Sequence, residues 1–265
     1  MIEYREIPPP APLRDAVVCF WSLRGQGAGA GSPWRILPDG CFDLLLPLAG
    51  DVERGAAGER IVEPRVIGPM TRSLEVRSPG SIELVGIRFR PGPASRLFPL
   101  RALRDLAVPA ADLVAGTGAL ADRVRASPER ERPARLAEWL TCALARAPIE
   151  PADAALARTL SAVGPGRVRD LARSLGLSER QLHRRTLALW GLSPAETRSL
   201  GRFRRALVRL HGGRTTLSEV AHACGYADHA HMTREFVRFS GQPPSRHRAG
   251  HAGAPASDPF KTGRR

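Results

Sequence analysis

"TLSEVAHACGYADHAHMTREFVRFSGQPP", residues 216–244, carries two apolar stripes with a glycine between them. On a 3.6-residue period Leu217, Val220, Ala221 and Cys224 share one face of a short helix. Met232, Phe236 and Phe239 share one face of a second. Gly225 stands where the first helix must stop and turn, Tyr226 follows as a plug, and Asp228 is a good N-cap for the next helix. His229, His231, Thr233, Arg234 and Arg238 are left outside. The pattern is that of a helix–turn–helix, in which a short helix braces a second that can enter a major groove.

The same grammar occurs upstream in "VRDLARSLGLSERQLHRRTLALWGLSP", residues 168–194. Val168, Leu171, Ala172 and Leu175 make the first face, Gly176 turns, Leu177 plugs and Ser178 caps. Leu182 points inward, while Arg180, His183 and Arg184 lie opposite. Between the two motifs, "SPAETRSLGRFRRALVRLHG" (193–212) reads as one helix capped by Ser193, with Pro194 at its first position. Leu200, Phe203, Leu207 and Leu210 give it an apolar stripe. Arg204 and Arg205 lie off that stripe, where phosphate contact is the most they could make. One helix–turn–helix is a weak signal; two, joined by a capped helix, are far more specific.

Charge agrees. Residues 1–150 hold 20 Arg against 18 acids, whereas 161–250 hold 16 Arg against 6. One half is nearly neutral and the other is a concentrated cation suited to a polyanion. Two rival readings of the opening stretch fail on geometry. His229 and His231 at i, i+2 sit about 200° apart on a helix, and no cysteine or acid completes a metal set. A membrane-surface helix would turn Met232, Phe236 and Phe239 to lipid, but they match the apolar face of 217–224 and read as core. "GQPPSRHR" (241–248) reads as a helix stop followed by a basic arm for phosphate.

The first hundred residues are β-rich. "AVVCFWSL" (16–23), "CFDLLLPL" (41–48), "RVIG" (65–68) and "SIELVGIRFR" (81–90) are short apolar or alternating runs between turn signals. In the last, Ile82, Leu84, Gly86, Arg88 and Arg90 fall on one face and Val85, Ile87 and Phe89 on the other. "PGPASRLFPL" (91–100) reads as a helical turn, 110–126 and 132–146 as amphipathic helices, and 146–151 as a linker. No apolar run approaches the roughly 18–20 residues of a membrane span, and the N-terminus lacks a secretory h-region. Cys19, Cys41, Cys142 and Cys224 are scattered without a CxxC pair, as in a reduced cytoplasmic protein with buried thiols.

Residues 160–248 resemble the DNA-binding domain of the AraC/XylS family of bacterial transcriptional regulators. The match is strongest in the second motif and its exit, at 221–244. "ILPDGCFDLLL" (36–46) and "VGIRFRPGPASRLF" (85–98) resemble a sensor-like domain of some members, for which no ligand is implied. The resemblance places Arg180, His183 and Arg184 of the first motif and His229, His231, Thr233 and Arg234 of the second against bases, with Arg238 on the same surface. Arg184 and Arg234 stand out, since arginine on guanine O6 and N7 is the commonest specific contact. Thr186 stands where the family has a core phenylalanine, so a shifted or loosely packed first recognition helix is expected.

The expected fold is therefore α+β. A small β-barrel-like domain with helices covers 1–148, its helical part at about 105–148. An all-α domain of two helix–turn–helix motifs covers 152–249, and a disordered tail 250–265. The implied partners are double-stranded DNA, an unknown small-molecule effector, a second copy of the chain as a homodimer, and RNA polymerase; no cofactor, metal or membrane is implied. Two other readings of the first domain are an enzyme and a module that only dimerises. All seven histidines lie at 183 or later, which excludes a two- or three-His metal site or a Ser–His or Cys–His couple within that domain. Asp39 in its PDG turn serves turn geometry, and Trp21, Trp34, Cys41 and Phe89 are candidates for lining a pocket or filling the core.

Overall fold

The computed structural model describes residues 2–26, 33–55, 57–162, 168–211 and 215–248, with backbone alone for 160–162. The expected tail lies outside these. The β-rich part is built on three long strands, β2 (Val17–Gln26), β4 (Phe42–Gly50) and β9 (Ser81–Phe89). With β1 (Ile2–Ile7), β7 (Arg65–Ile67) and β10 (Ala107–Pro109) they form a six-stranded sheet in the order β1-β2-β9-β4-β7-β10. Its pairings are all antiparallel. A four-stranded sheet, β3-β8-β5-β6, joins β3 (Trp34–Ile36), β5 (Glu53–Arg54), β6 (Glu59–Arg60) and β8 (Leu74–Arg77).

The alternation of β9 works on two cores at once. Val85, Ile87 and Phe89 enter one with Phe20, Phe42, Leu44 and Phe98, covered by helices α1 (Thr117–Ala126) and α2 (Arg132–Ala145) through Leu120, Val124, Leu136 and Leu140. Ile82 and Leu84 enter a second with Trp21, Leu45, Ile61 and Val76. Gly86 is required between them by close approach. A Cβ there would lie 2.4 Å from the Trp21 ring and 2.6 Å from the Leu44 carbonyl oxygen. The expected helix 110–126 is shorter than its pattern: Ala110–Asp112 is a 3-10 turn and α1 begins at Thr117, because Leu113 and Val114 pack against the core from an irregular segment.

Arg88, on the face of β9 that carries Ile82, Leu84 and Gly86, is only 7% exposed. It sits among Asp43 Oδ1 at 3.4 Å, Asp39 Oδ2 at 3.6 Å and Glu6 Oε1 at 3.8 Å. Burial pushes the Asp43 carboxyl up, against the pull of Arg88. Trp21 Nε1 donates to Asp43 Oδ1 at 2.8 Å, and the Cys41 amide donates to Asp39 Oδ1 at 2.8 Å, which is the turn role expected of Asp39. The four pocket candidates do not meet in one cavity. Phe89 is core on one face of the sheet, Trp21 and Trp34 pack on the other, and Cys41 faces the helical part. Cys19 and Cys224 are buried as expected of a reduced thiol, while Cys142 is exposed.

The helical part comprises α3 (Pro151–Ala162), α4 (Val168–Ser174), α5 (Glu179–Trp190), α6 (Pro194–His211), α7 (Leu217–Ala223), α8 (His229–Ser240) and α9 (Pro244–Arg248). Phe203 of α6 is fully buried, edge-on to Phe236 at 4.8 Å and tilted on Phe239 at 5.2 Å. The two turns are built alike. Gly176 and Gly225 take φ of +65° and +80°, the left-handed region that lets a helix end abruptly. The next residue then closes back on the helix: the Leu177 amide donates to Ala172 O at 2.9 Å, and the Tyr226 amide to Ala221 O at 3.0 Å.

The two parts of the chain are in contact. Arg204 Nη1 donates to Asp39 O at 2.8 Å, Arg35 Nη1 donates to Ser240 O at 3.0 Å, and Arg104 Nη2 meets Glu196 Oε1 at 2.5 Å. Arg204, for which the sequence allowed phosphate contact at most, is thereby turned to the β-rich part, which docks on that side of α6.

Replacing Gly86 by Ala forces a methyl group into the Trp21 ring and the β4 backbone. Overpacking of this kind costs about 1–3 kcal/mol. Urea unfolding of Gly86→Ala should show a correspondingly lower midpoint, and an unchanged midpoint would contradict the packing described.

Candidate nucleic-acid interface

Each recognition helix is fixed at its start by a side chain. Ser178 Oγ accepts from the Gln181 amide at 3.2 Å, and Gln181 Oε1 accepts from the Ser178 amide at 2.9 Å, closing a capping box on α5. Asp228 Oδ1 accepts from the His231 amide at 2.6 Å and starts α8. The supporting helices are treated the same way. Thr216 and Glu219 make a box on α7, and Ser193 and Glu196 bond reciprocally at the start of α6.

α5 runs without interruption despite Thr186. That residue is fully buried, and its hydroxyl donates to Leu182 O at 2.7 Å, so no polar atom is stranded. Leu189 and Trp190 supply the apolar volume around it. The expected shift of the first recognition helix is not present.

Burial of Leu182, Thr186, Leu189 and Trp190 leaves Arg180, Gln181, Arg184 and Ala188 on the outward side of α5, with His183 exposed at its edge. Burial of Met232, Glu235, Phe236 and Phe239 leaves Ala230, Thr233, Arg234, Val237 and Arg238 outward on α8. Arg180, Arg184 and Arg234 are exposed and make no hydrogen bond or ion pair with another described residue. Those three are guanidiniums extended into solvent from two capped helices.

Other expected site residues make contacts within the helical part. His231 turns back toward the corner of the motif: its ring meets Tyr226 edge-on at 5.3 Å and lies 3.7 Å from Glu235. Thr233 Oγ1 donates to His229 O at 2.9 Å. Arg238 lies over the Phe239 ring at 5.1 Å and 3.7 Å from Glu196, at the rim. The basic arm is a short helix, α9, folded back on the bundle; His247 Nε2 is 2.9 Å from Ser240 Oγ and Arg248 bonds the Thr215 carbonyl. Ala230 and Val237, which the sequence reading did not single out, share the outward side of α8 with Arg234. The helical period carried that signal, since Val237 lies three residues from Arg234 on the same side.

Beneath this surface Arg202 Nη2 holds Glu235 Oε1 at 2.8 Å, each side chain 11% exposed, and the Arg202 guanidinium lies 5.5 Å over the Tyr226 ring. The pair ties α6 to α8 directly behind Arg234. Among the described residues no three His, Cys, Asp or Glu side chains group as a metal would need, and no helix is long and apolar enough to cross a membrane.

Residues 171–250 match the model of a helix-turn-helix domain, a span that takes in both turns and both recognition helices. The C-terminal domain is of the AraC/XylS type. The AraC-type domain makes the chain a DNA-binding transcriptional regulator. Residues 5–109 match a domain of unknown function (DUF6597). Among solved structures the chain is similar to ToxT from Vibrio cholerae. One such structure has 10% identity and a TM-score of 0.47 over 87% of this chain and 98% of that one. Another, from Vibrio cholerae O395, has 10% identity and a TM-score of 0.45 over 96% and 98%. No curated protein matches the chain.

Arg202→Ala leaves the Glu235 carboxylate buried without its partner, which should cost about 3–5 kcal/mol of stability. Arg184→Ala and Arg234→Ala remove only exposed side chains and should stay within about 0.5 kcal/mol of the parent. Chemical denaturation of the three variants checks this ordering; equal losses would contradict the separation of supporting from outward residues.

Proposed function

We propose that the protein reads a specific operator through Arg184 and Arg234, one from each recognition helix, each in bidentate contact with a guanine. The observation that carries this reading is the pair of exposed, unpartnered guanidiniums on capped helices that α6 holds in one packed unit. Arg180, His183, His229 and Thr233 line the same surface, and Val237 and Ala230 suit the methyl group of thymine. Arg238 and His231 act at the rim and the corner. The two helices enter successive major-groove segments, roughly 34 Å apart on one face of the duplex.

In this reading the division falls at 1–148 and 152–249, and the protein works in the cytoplasm. The β-rich domain senses a small molecule and reports it to the AraC-type domain; it carries no histidine in 1–182, which supports a sensor over a hydrolase. Two copies pair on DNA, and contact with RNA polymerase transmits the effect.

Selection from randomised duplexes tests the reading residues. Arg184→Ala and Arg234→Ala should each relax preference at one position and weaken the selected site by about 1–3 kcal/mol. An unchanged motif in both variants overturns the assignment even if DNA is still bound. Salt dependence tests the polyanion contact separately: if about five to eight phosphates are neutralised, log K should fall against log salt with a slope of about −4 to −7, and a slope near zero contradicts it.

A further inference from the structure

Both recognition helices end against the β-rich part. Gly191 closes α5 with a φ of +67°, and a Cβ there would lie 2.4 Å from Leu100 O. Gly241 closes α8 with a φ of +72°, and a Cβ there would lie 3.3 Å from Arg35 Nη1 and 3.8 Å from Ser73 Oγ. The 3-10 turn Pro93–Arg96 packs on α5 as well. The surface that carries Arg180, Arg184 and Arg234 is therefore bordered, at the end of each helix, by residues of the β-rich part.

That border is basic. Arg96 and Arg101 line a shallow groove whose opposite wall is Ala188 and Leu189 of α5. Arg72 precedes Ser73, beside the end of α8. All three arginines are exposed, and their side chains make no hydrogen bond or ion pair with another described residue. Their neighbours are engaged: Arg35 pairs with Glu75 at 2.7 Å and Arg104 with Glu196 at 2.5 Å. The one acid among the described residues of the groove, Asp153, belongs to the first turn of α3, where a helix's positive end favours it. Arg180, Arg184 and Ala188 recur every four residues along the outward side of α5, a row about 12 Å long by helical rise. A major groove is about 12 Å wide, so side chains just past the end of that row stand at the groove's wall rather than over its floor. Ala188, the smallest side chain of the row, lets that wall come close.

We propose that the rim of the β-rich part is a second DNA-contacting surface. Arg96 and Arg101 at the end of α5, and Arg72 at the end of α8, hold the phosphate backbone that walls the two major-groove segments. The inference rests on the reading of Arg184 and Arg234 given above, and gives a DNA contact to a part of the chain which that reading leaves to sensing. Guanidinium forks bind phosphate bidentately. Backbone contacts of this kind fix register and orientation without reading sequence. The duplex is then held by α5, α8 and the β-rich rim together.

The full chain is titrated with its selected duplex and with an unrelated duplex of equal length, over about 0.05–0.3 M salt. The double variant Arg96→Gln/Arg101→Gln should flatten the slope of log K against log salt by about one to two, and Arg72→Gln by about one, on both duplexes alike. At about 0.1 M salt each lost contact should weaken binding about five- to tenfold. The selected motif and the melting temperature should hold. Arg123→Gln removes an exposed guanidinium from α1 and should leave the slope unchanged, which separates a local contact from the loss of net charge. A parental slope in either variant, or an equal change in Arg123→Gln, overturns the proposal. So does a lowered melting temperature with the slope intact, the sign of a charge that only answers a helix end. An unchanged motif in Arg184→Ala and Arg234→Ala strikes the operator reading instead and leaves these slopes untouched.

Discussion

Phe203 sits at the centre of α6 with no exposed surface and with the rings of Phe236 and Phe239 packed against it. That contact carries more than the stability of a core. α6 contacts α5, α7, α8 and α9, so the orientation of both recognition helices is set relative to one rigid rod. The apolar stripe of α6 makes this possible because Leu200, Phe203, Leu207 and Leu210 recur on one face over three turns. The Arg202–Glu235 pair beside the stripe adds a directional tie to α8. Apolar packing tolerates small rotations; a buried, hydrogen-bonded ion pair with a ring stacked on it does not.

The outer side of the same helix has a different use. Arg204 reaches the backbone of the PDG turn, and Glu196 takes Arg104 from the β-rich part with Arg238 of α8 3.7 Å away. α6 thus touches both the recognition helices and the β-rich part, and the β-rich part also reaches the end of α8 through Arg35.

Much of this was legible in the chain. Both turns were readable because glycine, plug and cap each have a local cause that tertiary context does not override, and Gly176, Leu177, Ser178, Gly225, Tyr226 and Asp228 take the roles their order implies. The outward placement of Arg184 and Arg234 followed from helical period alone. What was not legible depends on partners distant in sequence. The return of Arg204 to Asp39 spans 165 residues, the burial of Arg88 depends on three acids from other elements, and the turning of His231 depends on the ring of Tyr226. Thr186 shows the opposite failure. A family expectation of a large core side chain foretold an irregular helix, but a hydroxyl bonded one turn back and two neighbouring apolar residues fill the same need.

If α6 holds the two recognition helices as one unit, both meet one face of the duplex. Hydroxyl-radical footprinting of the full chain on a selected site tests it most directly. Two protected patches are expected on the same face of the duplex, separated by about one helical turn, roughly 10–10.5 base pairs. A single patch, or two patches on opposite faces, would contradict it.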